Sequence, residues 1–168
     1  MKKIVLVFAI VFLVIASVSC QHFFSYKPIE YFKTTTTGSY TDLKAENLKQ
    51  AMSMALDLTT NSLSFNLHSK NNSDVDYLLK SKEAHCVGYA NVYNAYLKSI
   101  LKNSNISGCK VYKVRAKVYV AGVNLTGISN DRSFKDHDVS MVEDTRTGYK
   151  YIIDPSLSEV FGNIIVKQ

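Results

Sequence analysis

The hydrophobic positions along this chain fall into one unbroken block and several periodic segments. Ile4–Ala16 is a continuous apolar run of 13 residues. Leu43, Leu48, Met52, Ala55 and Leu56 then recur at roughly helical spacing after Thr41 or Asp42, either of which offers an N-cap. That pattern predicts an amphipathic helix over 42–57. Leu63, Phe65 and Leu67 alternate with polar residues and suggest a short extended segment. Ser73 can cap a brief helix through Val75, Leu78 and Leu79. Tyr89, Val92, Tyr93, Tyr96 and Ile100 share one face of a helix that starts near Cys86 and ends in the turn formers 103–108. Tyr112, Val114, Ala116, Val118 and Val120 line one face of a long strand, with Lys113, Arg115, Lys117 and Tyr119 on the other. After a polar loop over 124–135, the segments 137–142 and 149–153 read as a β-hairpin. Helices first and antiparallel strands after predict an α+β fold.

The apolar block does not belong to that fold. Lys2 and Lys3 precede it, and Ser17, Ser19 and Cys20 follow it. This is the layout of a secretory signal peptide over 1–19, and the run is too short for a membrane span. Cys20 behind a small residue resembles a bacterial lipoprotein box, although Ser17 stands where such boxes usually carry Leu. Two routes therefore remain open, acylation of Cys20 or plain secretion. Residues 20–40 contain Pro28, the tract Thr34–Thr37 and Gly38, with no visible packing period, and read as a tether. The domain then covers 41–168.

Composition removes several other classes. With 168 residues, 11 Tyr, 8 Phe and 2 Pro, the chain is too apolar to be disordered and suits one domain. The net charge of +6 allows weak attraction to anionic envelope polymers, yet no Lys/Arg run exceeds two residues. No nucleic-acid motif accompanies the charge. Cys86 and Cys109 could pair in an exported protein, which would consume a nucleophile. The set His85, Cys86, Cys109 and His137 lacks metal-ligand spacing. No cofactor is implied.

Chemistry concentrates in three segments, Glu83–Ala90, Asp136–Val139 and Tyr151–Ser156. Cys86 stands where the helical period begins, and a helix N-terminus favours the thiolate. An imbalance of one proton then needs a base, and His137 and Asp154 supply a base and its orienting carboxylate. If Asp144–Thr147 form the hairpin loop, His137 lies opposite Asp154, close enough for Nδ1–H to reach the carboxylate; a one-residue slip would separate them. Asp136 and Asp138 are rival carboxylates whose side chains point away from that face. His85 is a rival base, but adjacent side chains rarely meet well.

Cys86-Val87-Gly88-Tyr89-Ala90 at a helix start, then His137 on a strand, then Asp154-Pro155 after a strand, resembles the transglutaminase-like superfamily over Val75–Glu159. The resemblance implies a papain-like core. It implies Cys86 as nucleophile, His137 as general base and acid, and Asp154 as orienting carboxylate. Its chemistry proceeds through an acyl-thioester formed on a glutaminyl or peptide carbonyl, resolved by water or an amine. The implied partner is protein or peptide material of the cell envelope. The chain has no Trp, and Val139 stands where relatives often carry one, so the second oxyanion donor is unassigned. A different class remains open beside the enzyme, an inactive envelope lipoprotein using the fold as a binding scaffold.

Overall fold

A computed structural model describes residues 23–34, 38–69, 72–124 and 136–168. The export signal and Cys20 lie outside the described residues, as does most of the 124–135 loop. The elements are β1 (Phe24–Lys33), α1 (Leu48–Ser62), β2 (Ser64–Phe65), α2 (Val75–Ser81), β3 (Glu83–Ala84), α3 (Cys86–Asn103), β4 (Cys109–Val120), β5 (Val123–Asn124), β6 (His137–Asp144), β7 (Lys150–Ile153), α4 (Pro155–Phe161) and β8 (Ile165–Lys167). The main sheet runs β1-β4-β6-β7-β8, antiparallel throughout, with β5 folded back on β4. Strands β2 and β3 form a separate parallel pair.

Helix α3 is the axis of the molecule. Tyr89, Val92, Tyr93, Tyr96 and Ile100 are buried as their spacing predicts, but Ala90, Asn94, Ala95, Leu97 and Leu101 on the other sides are buried too. The helix is enclosed because α1 lies on one flank and the sheet on another. Leu48, Met52, Ala55 and Leu56 of α1 share a core with α3 and with Val142 and Ile153 of the sheet. The opposite sheet face gathers Val114, Ala116, Val118, Val139, Met141 and Ile152 around Phe24 and Tyr26. The Lys113 and Arg115 side of β4 is therefore the side that faces the helices. Their charges are accommodated there because both stack on the Phe32 ring, 5.1 and 5.3 Å from its centroid, and Arg115 pairs with Glu30 at 2.9 Å.

Three expectations are corrected. Within the expected tether, Phe24–Lys33 is strand β1, paired with β4 from Phe24↔Val120 to Lys33↔Tyr112. Its alternation was obscured by Pro28 and by a bulge between Pro28 and Glu30 that reverses which residues face inward. The first helix starts at Leu48 and not at 42, because Asn47 Oδ1 accepts from Gln50 N–H while Gln50 Oε1 accepts from Glu46 N–H. Leu43 stays 43% exposed before it. The second helix is capped by Asp74, not Ser73.

The hairpin register also differs, and the difference matters for the site. Glu143 faces Lys150 and Ser140 faces Ile153, so the pairing is displaced by two residues from the expected one. Gly148 does not enter the strand. Its φ is +73° and its N–H bonds Asp144 C=O at 2.8 Å, which keeps it in the loop. An even displacement preserves side-chain parity, so His137 and Asp154 remain on one face.

Candidate functional site

Three elements converge at one end of the sheet, where β6 begins, β7 ends and α3 begins. Cys86 is the first residue of α3, and its N-cap is His85, whose Nδ1 accepts from Val87 N–H at 3.3 Å. Gly88 lets the helix start lie close to β3 and α2, since a Cβ there would meet Ala84 Cβ at 2.6 Å and Leu78 Cδ2 at 3.0 Å. On the sheet side, Ser140 Oγ donates to Ala90 C=O and ties the first turns of α3 to β6.

His137 opens β6, and its Nε2 lies 2.7 Å from Asp154 Oδ2. The sequence geometry expected Nδ1 at the carboxylate. Asp154 lies one residue past the end of β7 and opposite no residue of β6, so it is met by the far nitrogen of the ring. The Cys86 thiol lies close enough to the His137 ring for each group to shift the protonation of the other. The thiol also meets the His85 ring and the Asp138 N–H. All three predicted residues are thus brought together, and His85 joins them.

Asp154 is wholly buried and accepts four hydrogen bonds. Oδ2 takes His137 and, at 2.8 Å, the Tyr26 hydroxyl; Oδ1 takes the Ser156 hydroxyl and Leu157 N–H, each at 3.0 Å. The carboxylate is also the N-cap of α4, with Pro155 in the first helical position. Ser156 and Leu157 could have been foreseen from that Asp-Pro capping signature. Tyr26 could not, because it comes from the stretch read as tether.

Electrostatics follow from this arrangement. Burial by itself pushes the Cys86 thiol up, but hydrogen bonds from His137 and His85, the His137 charge and the Asp138 N–H outweigh it and bring the thiol from 9.0 down to about 6. Burial pulls His137 down, yet the Asp154 charge and hydrogen bond and the adjacent sulfur hold it well above its ordinary 6.5. Asp154 stays below the usual carboxylate range because the His137 charge and its donors overcome its burial. His85 is raised, chiefly by its hydrogen bond with Cys86. Both shifts run in the direction that favours a thiolate beside an imidazolium. Cys109, in contrast, is pushed up by burial and by Asp144.

The rivals separate clearly. Asp138 points to the helix side, away from the imidazole face, and is raised by burial against the pull of Lys113 and Arg115. Cys86 and Cys109 are both free thiols, so the considered bridge is not made. Tyr89, one turn into α3, is a core residue whose hydroxyl donates to Glu159; the same carboxylate takes Phe65 N–H at 3.1 Å. Among the described residues no group of three or more His, Cys, Asp or Glu is arranged to hold a metal ion, and no helix is long and apolar enough to cross a membrane. Comparison of the chain with family models, with curated proteins and with solved structures finds no match.

Proposed function

We propose that the protein is a transglutaminase-like thiol enzyme that acts on peptide or glutaminyl amides through an acyl-thioester. The supporting observation is that His137 Nε2 meets a buried Asp154 carboxylate that accepts four hydrogen bonds, while the Cys86 thiol at the start of α3 interacts with the same imidazole. The Cys86 thiolate attacks the carbonyl carbon, and the C=O electron pair moves to oxygen. Cys86 N–H, in the open first turn of α3, is the candidate donor to that oxyanion. Collapse of the intermediate expels the amine, which takes the proton from His137 Nδ1. His137, now neutral, accepts a proton from water as it attacks the thioester, and the thiolate leaves. An amine in place of water gives transamidation. Water is the acceptor favoured in this proposal.

The substrate class is protein or peptide of the cell envelope. Cys20 and Tyr26 at the site are six positions apart. An extended chain of that length spans at most about 22 Å. An acylated Cys20 would therefore hold the site within that distance of the bilayer, much closer than a free tether would.

Profiling of the mature protein on a peptide library, with and without an added primary amine, tests the reading. The expected result is amide cleavage that a Cys86→Ala variant lacks. Identical profiles for the two proteins would instead favour a non-catalytic scaffold.

A further inference from the structure

Asp154 is the partner of His137, but the carboxylate oxygen that meets the imidazole is shared. Oδ2 accepts from Tyr26 OH at 2.8 Å as well as from Nε2 at 2.7 Å. Tyr26 is 5% exposed and lies 128 residues away in sequence, on the outermost strand of the sheet. Its backbone is fixed on both sides. It pairs with Val118 in β4, and its C=O accepts from Gln168 Nε2 at 3.0 Å. With Ser156 and Leu157 on Oδ1, the carboxylate is gripped from three elements and cannot turn about its own axis without losing a buried hydrogen bond.

We propose that Tyr26 is a positioning residue of the site, which fixes Asp154 and moderates how strongly that carboxylate holds the His137 proton. The inference rests on the proposed thiol chemistry. A donor on a carboxylate oxygen disperses its charge, so the oxygen attracts the Nε2 proton less. Strand β1 is thereby a working part of the site and not a spacer between anchor and domain. The ionisable groups around His137 are Asp154 past β7, Cys86 on α3 with His85 beside it, Tyr26 on β1 and Asp138 on β6 itself. Among these described groups, Tyr26 alone reaches Oδ2 with a donor while being itself un-ionised across the working range, since burial and the Asp154 charge raise its phenol.

The test is an NMR titration of the His137 imidazole in three proteins: the unmodified chain, Tyr26→Phe, and a chain with 3,5-difluorotyrosine at position 26. Phe removes the donor and keeps the ring. Difluorotyrosine keeps the shape and strengthens the donor. The expected result is a His137 midpoint raised by about half a pH unit or more in Tyr26→Phe, and lowered with difluorotyrosine. Packing alone would not give shifts of opposite sign. Unchanged midpoints in both, or shifts in the same direction, would overturn the inference. Should Tyr26→Phe fold poorly, the difluorotyrosine chain decides alone. Alkylation of Cys86 in the unmodified chain separates the two readings: a Cys86 no more reactive than a model thiol sinks the enzyme reading, whereas a reactive Cys86 with unmoved His137 midpoints sinks only the role of Tyr26.

Discussion

Replacing Asp154 by Asn changes one atom's character and almost nothing of its shape, and its consequences can be worked from the hydrogen bonds. The Asn oxygen can keep Ser156 and Leu157 N–H on the Oδ1 side. The amide nitrogen then faces two donors, Tyr26 OH and His137 Nε2–H. The hydroxyl can rotate to accept, but the imidazole must give up its Nε2 proton and carry one on Nδ1 instead. His137 becomes neutral and presents N–H to the sulfur, so it cannot take the thiol proton. Cys86 loses its largest source of stabilisation and moves from about 6 back toward 9.0. His85 and Asp138 N–H remain, so the return is incomplete. For a full return, the thiolate fraction at pH 6 would fall about 500-fold, and the greater intrinsic nucleophilicity of a more basic thiolate would restore about 15–30-fold of that. The net expectation is an alkylation rate at pH 6 lower by up to about 15–30-fold. The midpoint of the rate profile is the cleaner readout, with an expected rise of at least about one pH unit. Iodoacetamide labelling followed by peptide mass spectrometry from about pH 4 to about pH 10 measures both. A variant that folds normally and keeps its midpoint near that of the unmodified protein refutes the assigned role of Asp154.

Three further outcomes are expected. His85→Asn keeps an N-cap side chain but removes an imidazole from the thiol, so the Cys86 midpoint should rise by less than in Asp154→Asn while the thermal midpoint hardly moves. Gly88→Ala should destabilise by about 1–3 kcal/mol in denaturant unfolding, because overpacking against Ala84 and Leu78 exceeds the roughly 0.5–1 kcal/mol gained by helix propensity; a more stable variant would show that the close approach is not rigid. Glu30→Ala removes the exposed partner of Arg115, and its cost should stay within about 1 kcal/mol in the same assay.

Much of the candidate site was legible in the sequence because its residues sit at element boundaries that local patterns mark. Cys86 begins a helical period, His137 begins a strand, and Asp154 precedes Pro155 at a helix start. The hairpin shows how such a reading can survive an error. Its register is displaced by two residues because Gly148 stays in the loop, yet the even displacement keeps His137 and Asp154 on one face. The carboxylate meets Nε2 and not Nδ1 for the same reason, since Asp154 is not directly across from His137. Strand β1 was illegible because a bulge beside Pro28 interrupts its period, and a strand whose partner residues lie 79 to 96 positions away leaves no local trace. Tyr26 was lost with it. The face of β4 that meets the helices was also hidden, because Lys113 and Arg115 are made compatible with that side by Phe32 and Glu30 from β1.

The central claim is that this fold holds Cys86 as a thiolate at neutral pH, and the protein carries its own control in Cys109. The two thiols are both free and both partly exposed, but one is lowered to about 6 and the other raised above 9.0. Limiting iodoacetamide at pH 7, followed by mass spectrometry of the two cysteine peptides, compares them within a single molecule. Label concentrated on Cys86 by several-fold over Cys109, with a rate midpoint near pH 6, is the predicted result. Equal labelling, or faster labelling of Cys109, would contradict it.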